Sequence, residues 1–440
     1  MKTVKVAIVG FGTIGTGVAR LLLEHGERIA RHAGKRLELA QVVDTDLVRP
    51  RGLTLPEGLL TDDLSKVLNN REITAVVHLV GGLEPARTIM LRLLEGGKDV
   101  ITANKALLAE HGPELFDRAR QLGRSIAFEA SVAGGIPIIA AISECLTANQ
   151  IQSIQAILNG TSNFILTEME ESGSGYAATV AEAQRRGYAE ADPTMDVDGS
   201  DAAQKLAILA HLAFGAWVNW REIPRTGIDT VEVADMRYAK ELGYRVKLLA
   251  VANLVDEGLE LHVSPTLVRQ GTPLAEVRGA YNAVRVVGDA VGRVFLHGLG
   301  AGQMPTASAV VADLIDTVVG RTAITFRTLE LWSDEHRRGA PCGAPPVAVR
   351  DPAKVPGRFY LRLGVEDRPG VMAEITGILG RQRISIASVI QHETEEEAGG
   401  VVPLVIMTHS APEGAVSEAL AAISQLACVH PSSIRMRVRD

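Results

Sequence analysis

The segment GYAEADPTMDVDGSDAAQK, residues 187–205, sets Glu190, Asp192, Asp196, Asp198, Asp201 and Lys205 directly ahead of an apolar run. A calcium loop would need an acid at its first position, glycine at the sixth and glutamate at the twelfth. With Gly199 in the sixth place, the first is Thr194 and the twelfth Lys205, so the stretch fails that loop at both ends and argues against calcium. Acids at a helix entry cap its free N–H groups and complement its dipole. That accounts for aspartates but not for Lys205. The following run, KLAILAHLAF, is apolar nearly all round and so reads as a buried helix. Lys205 lies one turn from Asp201 on the same face. A lysine there needs a partner or a task. Burial disfavours an ammonium and a neighbouring carboxylate favours it. Together they can offer a proton to a developing alkoxide, which is what carbonyl reduction requires.

Such a reduction needs a hydride source, and the N-terminus offers a place for one. VKVAIVGFGTIGTGVARLLLEH reads as strand, glycine turn and helix. Gly10 permits the tight turn, Gly12 lets a pyrophosphate approach the backbone, and Gly15 lets helix pack on strand. Phe11, Thr13 and Ile14 complete the loop, and the helix N-terminus faces the phosphates. A second strand, LELAQVVD, ends in Asp44, whose carboxylate suits the ribose 2′-OH of NAD and repels a 2′-phosphate. The insert ERIARHAGKR lengthens the crossover to Asp44. Arg49 and Arg51 follow, which keeps NADP open.

These motifs need a scaffold, and the alternation of strands and helices supplies it. ITAVVHLVGG, DVITANKALLAEHG and SIAFEASVAGGIPII each read as a strand leading to a polar or glycine turn. The pattern implies a parallel doubly wound sheet with ligands at the carboxyl ends of its strands. Those ends hold Gly10–Gly15, Asp44, Gly81–Gly82 and Thr102–Lys105. From about residue 150 the texture becomes α+β: a polar turn at Asn159–Asn163, the charged stretch, then alternating segments read as antiparallel strands. Residues 331–357 are rich in proline and glycine and read as a linker. Residues 358–440 follow the order βαββαβ, which is ferredoxin-like. The expected division is therefore 1–130 for dinucleotide binding, 131–310 for substrate binding and dimerisation, 311–330 as a returning helix, 331–357 as linker and 358–440 as a regulatory module.

Composition bounds the partners. The chain has 440 residues with a net charge of −7 and no basic stripe, which excludes nucleic acid as a main partner. Its longest apolar run is too short to span a bilayer, and the first strand leaves no room for a signal peptide. Three scattered cysteines fit reduced thiols in a cytoplasm.

The stretch AEAQRRGYAEADPTMDVDGSDAAQK resembles the signature of the homoserine dehydrogenase family, from Ala183 through Asp192-Pro193, Asp196, Gly199 and Asp201 to Lys205. GFGTIGTGV and ITANKALLA resemble that family's cofactor loops, NGTSNFIL its substrate-side turn and GAGQMPTASAVVADL its closing motif. The likeness covers roughly residues 4–325. It implies a Rossmann-type sheet with an inserted α+β domain, and reversible NAD(P)H-dependent reduction of L-aspartate 4-semialdehyde to L-homoserine in threonine and methionine biosynthesis. Lys205 and Lys105 then bracket the reacting oxygen. Glu190, Asp196 and Asp201 hold the substrate's amino and hydroxyl groups, with Gly160 and Thr161 beside them. Thr102, Ala103, Asn104, Gly81 and Gly302 join the cofactor residues. Glu129, Val132, Gly134 and Ile136 resemble a loop that binds a monovalent cation such as sodium, mostly through carbonyl oxygens. A homodimer or homotetramer is expected. Relatives often carry basic residues where this chain has Asp44, and often an acid where it has His78.

The tail YLRLGVEDRPGVMAEITGILGRQRISIASVIQHE resembles an ACT domain, an amino-acid-sensing module. Asp367, Pro369 and Gly370 form its strand-to-helix turn, where free N–H groups suit an amino-acid carboxylate. The resemblance makes L-threonine the natural effector. Two other readings compete. A non-catalytic metabolite sensor has no need of two lysines at one oxygen. A phosphorylating semialdehyde dehydrogenase needs a nucleophilic cysteine in a cofactor or substrate motif, and none of the three cysteines sits in one.

Overall fold

Val4, Val6, Ile8 and Val9 favour an extended chain, and Gly10, at φ +99°, turns it sharply into the first helix. The structure, a computed structural model, describes residues 1–256, 258–329, 331–332, 347–392 and 400–440. In chain order the first elements are β1 (Thr3–Val9), α1 (Thr13–Glu24), α2 (Gly26–Ala33), β2 (Arg36–Val43), β3 (Leu60–Thr61), α3 (Ser65–Leu68) and β4 (Ile73–His78). Then come α4 (Ala86–Glu95), β5 (Asp99–Thr102), α5 (Lys105–Gln121), β6 (Ile126–Ala127) and α6 (Ile138–Ala140). The middle holds β7 (Ile151–Ile157), α7 (Gly160–Ser172), α8 (Tyr176–Arg185), α9 (Thr194–Val197), α10 (Ser200–Phe214), α11 (Val233–Glu241), β8 (Tyr244–Val255) and β9 (Gly258–Arg269). After β10 (Tyr281–Gly288), β11 (Gly292–Leu299), α12 (Gln303–Val319) and α13 (Arg321–Thr328) come β12 (Pro356–Glu366), α14 (Val371–Arg381), β13 (Ile386–Ile390), β14 (Val401–Thr408), β15 (Ala411–Pro412), α15 (Glu413–Ile423) and β16 (Val429–Arg439).

The chain divides into two compact units. The first gathers Met1–Gln152, Gln204–Glu222 and Asn282–Val347; the second gathers Ser153–Ala203, Ile223–Tyr281 and Ala348–Asp440. In the first, six strands in the order β3-β2-β1-β4-β5-β6 pair in parallel. This is the doubly wound order, with its switch point between β1 and β4. Val6, Ile8, Ala75, Val77 and Ile101 on one face of that sheet pack with Val18 and Leu22 of α1 and Ala307, Val310 and Leu314 of α12. The segment SIAFEASVAGGIPII contributes only the two residues of β6 before a 3-10 turn at Glu129–Ser131.

In the second unit the strands run β7-β8-β9-β16-β12-β14-β13. β8 and β9 form a twelve-residue antiparallel hairpin, Tyr244↔Arg269 through Val255↔Gly258. The βαββαβ tail is present, with β15 added. Its last strand pairs in parallel with β9, Arg437↔Thr266 to Arg439↔Val268, so the tail's sheet continues the hairpin. Of the expected linker, residues 333–346, Cys342 among them, lie outside the described residues. The described parts are packed: Trp332 and Val355 are buried, and Val349 bridges Leu259. Among the described residues no helix is long and apolar enough to cross a membrane.

A buried ion pair reinforces the junction of tail and hairpin. Asp235, fully buried on α11, accepts from Arg362 Nε at 2.7 Å and Nη2 at 3.0 Å, and from the Tyr360 hydroxyl at 2.9 Å. It also closes a capping box, accepting the Glu232 N–H at 2.9 Å. Removing one member of such a pair leaves a buried charge and costs about 3–5 kcal/mol, whereas replacing both with apolar residues is far cheaper. Asp235→Ala should therefore lower the urea midpoint more than Asp235→Leu combined with Arg362→Met. A double variant as unstable as the single one would show that the pair's charges do not govern this junction.

Candidate functional site

The glycine loop of the first unit is shaped by close approaches. A Cβ on Gly15 would sit 2.2 Å from the Gly10 carbonyl oxygen, and one on Gly10 would meet the Leu79 backbone at 2.7 Å. Nothing lies within 4 Å of the position a Cβ on Gly12 would take, so this residue leaves the open face a pyrophosphate needs. Gly17 was not singled out from the sequence. Its Cβ would meet Ala307 and Gln303 of α12 at 2.9 Å, and Gln303 Nε2 donates to the Thr13 carbonyl at 3.0 Å. Thus α12, capped by Gly302 at φ +124°, clasps the glycine loop.

Asp44 is bound into that loop. Its Oδ2 accepts the Phe11 N–H at 2.5 Å and its Oδ1 accepts the Asp46 N–H at 2.8 Å. Arg51 lies 3.6 Å from Asp44, sits over the Phe11 ring, and donates to the carbonyls of Phe11, Arg49 and Asp46. Its guanidinium is committed to the loop, while Arg49 is exposed. The next two strand ends are tied by one side chain. Asn104 Nδ2 donates to the carbonyls of Val80 and Gly82 at 3.0 and 2.7 Å, and its Oδ1 caps α5 at Leu107 N–H. Asn104 N–H in turn donates to buried Thr102 Oγ1. Lys105 is the first residue of α5. A cation at the positive end of a helix is unfavourable for stability alone. His78 ends β4 fully buried, and burial pushes its pKa down to about 4, so it is neutral.

In the second unit the charged stretch sorts itself by function. Asp192 accepts from Thr194, and Asp198 accepts from both N–H and hydroxyl of Ser200 at 2.7 and 2.8 Å; these two shape turns. Gly199, at φ +85°, makes the corner into α10. Asp196 and Asp201 are drawn together by a residue the sequence analysis placed only in a polar turn. Asn159 Nδ2 donates to Asp196 Oδ1 at 2.7 Å and to Asp201 Oδ2 at 2.9 Å, while its Oδ1 caps α7 at Ser162 N–H. An asparagine immediately before a helix was the available signal. Gly160 and Thr161 open α7, where N–H groups have no intrahelical acceptor. The Thr161 hydroxyl itself donates to the Tyr188 carbonyl at 2.7 Å. Glu190 is exposed, away from this cluster's hydrogen bonds. Asp201, near the start of α10, is buried; Lys205, on the part of that helix that belongs to the first unit, is half-buried.

The loop expected to hold a cation has its own geometry. Glu129 accepts the N–H groups of Ile139 and Ala140 at 2.9 and 2.8 Å, so its carboxylate caps α6. Burial raises its pKa to about 7, and Asp313, which accepts the Glu129 N–H, is raised by burial and by Glu129. Gly134, at φ +49°, lies where a Cβ would be 2.3 Å from the Gly300 carbonyl oxygen. The Ile136 carbonyl accepts Ile138 N–H. Among the described residues no group of three or more His, Cys, Asp or Glu is arranged around a metal position. In the tail, Asp367, Pro369 and Gly370 line a cavity of about 380 Å³ at the start of α14, with Arg368, Met372 and Gln391.

Residues 137–315 match the family model described as homoserine dehydrogenase, residues 10–129 the homoserine dehydrogenase NAD-binding domain, and residues 359–427 the ACT domain. The chain is 44% identical to the homoserine dehydrogenase of Pseudomonas aeruginosa over the whole of both chains. A crystal structure of a homoserine dehydrogenase from Thiobacillus denitrificans superposes with a TM-score of 0.89 at 43% identity, covering 100% of this chain and 99% of that one. A hyperthermophilic archaeal homoserine dehydrogenase in complex with NADPH covers 72% of this chain at 28% identity, with a TM-score of 0.61. A glycine loop open at Gly12, two aspartates gathered ahead of Lys205, and a βαββαβ tail thus have one common explanation: the chain belongs to the homoserine dehydrogenase family, NAD(P)-dependent oxidoreductases, and carries a C-terminal ACT domain.

Proposed function

We propose that the chain reduces L-aspartate 4-semialdehyde reversibly to L-homoserine, in the cytoplasm, on the route to threonine and methionine. The observation that carries the site assignment is the Asn159 amide joining Asp196 and Asp201 at the entry of the helix that bears Lys205. The two carboxylates hold the substrate's ammonium and hydroxyl groups, with the first-turn N–H groups of Gly160 and Thr161 at its carboxylate end. Glu190, exposed in this structure, is the third of the proposed substrate-side acids. When bound, the nicotinamide cofactor supplies the hydride. Lys205 gives its proton to the C4 oxygen as charge develops there, and Lys105 stabilises the same charge. The Val132 and Gly134 carbonyls, with Glu129 and Ile136 around them, are the proposed seat of a monovalent cation. The working assembly is a homodimer or a homotetramer.

Loss of a general acid costs about 10²–10⁴-fold in rate. Lys205→Ala should lower kcat by that order and leave cofactor binding near normal. A kcat within about threefold of the parent would remove Lys205 from this role.

NAD is the proposed preferred cofactor, because Asp44 follows the end of β2 and is bonded to the glycine loop at Phe11 N–H, while Arg51 is spent on carbonyls. The archaeal relative in complex with NADPH is the argument for the alternative. Asp44→Ser should raise the NADPH-to-NADH ratio of kcat/KM by about tenfold, the equivalent of about 1.4 kcal/mol. It should also weaken both cofactors, since the Phe11 N–H loses its acceptor. A parent enzyme that already favours NADPH would overturn the ribose role of Asp44.

The ACT cavity is the proposed seat of L-threonine, its carboxylate on the α14 N–H groups and its ammonium on Asp367. Deleting residues 358–440 is a poor test, because it strips β9 of its partner and leaves Asp235 without Arg362. Asp367→Ala keeps both. Threonine should inhibit the parent and not this variant, with uninhibited kcat alike in the two. Equal sensitivity would place the regulatory site elsewhere, and a parent unaffected by millimolar threonine would dismiss threonine as effector.

A further inference from the structure

The two lysines ride on different helices, Lys105 on α5 and Lys205 on α10. Within the first unit α5 is a weakened helix. Pro113 has no N–H to give the Ala109 carbonyl, and Gly112 precedes it, so hydrogen bonds alone do not stiffen the rod behind Lys105. Something else must hold it.

Trp332 sits at that point. A Cβ on Gly112 would lie 3.2 Å from indole Cδ2 and Cε2, so only glycine lets the ring approach α5 this closely. The indole also meets Phe116 edge-on, with centroids 4.6 Å apart. On its other side it stacks on His211 of α10, at 4.5 Å and 11°. The Trp332 N–H donates to His211 Nε2 at 2.6 Å, which leaves His211 Nδ1–H to donate to the Ala216 carbonyl at 3.1 Å. Trp332 and His211 are both buried. Trp332 holds φ at +50°, a conformation that a non-glycine residue keeps only where its surroundings impose it. Arg120 of α5 anchors the preceding Leu331 carbonyl at 2.7 Å. A second tie runs in parallel: Glu110 of α5 pairs with Arg221 at 2.5 Å and accepts from Trp220 Nε1 at 3.3 Å. Gly112 lies about 10 Å along α5 from Lys105, and His211 about 9 Å along α10 from Lys205.

We propose that Trp332, wedged between Gly112 and His211, is a positioning residue that fixes the spacing of Lys105 and Lys205. It rests on the reading that those lysines serve the reacting oxygen. Misplacement of reacting groups by about 1 Å can cost about a hundredfold in rate.

The test is steady-state kinetics of semialdehyde reduction by the full-length enzyme, with thermal melting alongside. Trp332→Leu and Gly112→Ala should each lower kcat about tenfold or more, with the KM for the nicotinamide cofactor within twofold. Gly112→Ala is diagnostic because alanine favours a helix, so a loss of kcat without a loss of melting temperature reports displacement of the indole, not unfolding. Adding Trp332→Phe to Gly112→Ala should recover most of the kcat, since the smaller ring leaves room for the methyl group. The proposal is overturned if both single variants keep kcat within twofold of the parent. It is equally overturned if their losses follow the melting temperature and the double variant recovers nothing. Lys205→Ala and Lys105→Ala, run in parallel, separate the two ideas: full activity in both sinks the lysine reading itself, whereas inactive lysine variants beside normal brace variants sink only the brace.

Discussion

The rest of the structure depends on one constraint: α10 is buried along almost its whole length, so its polar residues call for partners, and of those described Gln204 Oε1 alone is buried without one. Ala202, Ala203, Leu206, Ile208, Leu209 and Ala210 are all at most 1% exposed. A buried helix cannot leave a carboxylate, an amide, a lysine and an imidazole to water, and an unmet polar group there costs a few kcal/mol. Asp201 is met by Asn159, and His211 by Trp332 and Ala216. Ser200 is met by Asp198 before the helix begins. What looks in the sequence like an excess of charge is therefore a division of labour. Some acids build the corner into the helix, and others are collected at its mouth by Asn159.

The tail obeys a different constraint, that of the sheet edge. A long hairpin such as β8–β9 leaves a row of unpaired N–H and C=O groups along its outer strand. β16 covers part of that row, and the buried Asp235–Arg362–Tyr360 cluster ties its neighbour β12 to α11. Buried ion pairs contribute little net stability compared with apolar packing but penalise wrong registers heavily. The consequence for regulation is mechanical. The strand that leads to Asp367 and Gly370 is the same β12 that carries Tyr360 and Arg362, so a ligand at the proposed turn site would act on a strand already clamped to α11. Such a ligand shifts activity only through a difference in affinity between two states of that clamp.

Much of this was legible in the sequence because local patterns carried it. The glycine spacing, the strand–helix alternation and the βαββαβ order are short-range signals, and they correctly implied the doubly wound sheet and the tail's fold. What stayed hidden was set by partners far apart in the chain. Asn159 reads as a turn residue until Asp196 and Asp201 come to it across about forty positions. Gly17 looks like an unremarkable helical glycine until α12 packs on it from nearly 300 residues away. Asp44 was read as a ribose ligand from its place at a strand end, but its bonds to Phe11 and Asp46 could not be seen there. The continuity of the tail's sheet with β9 was masked by a linker composition that suggests separation.

The use of an asparagine to gather two aspartates has a physical consequence for catalysis. Both carboxylate oxygens touch the same nitrogen, so they lie no more than about 5.6 Å apart. At an effective dielectric of about 20, two unit charges at that distance repel by about 3 kcal/mol. An arginine or lysine in place of Asn159 would cancel that repulsion permanently. The amide instead offers each carboxylate a neutral hydrogen bond and adds no charge of its own. One neutral side chain thereby keeps the two acids close without adding a charge of its own, at the place where the proposed reading puts the substrate's ammonium and hydroxyl groups.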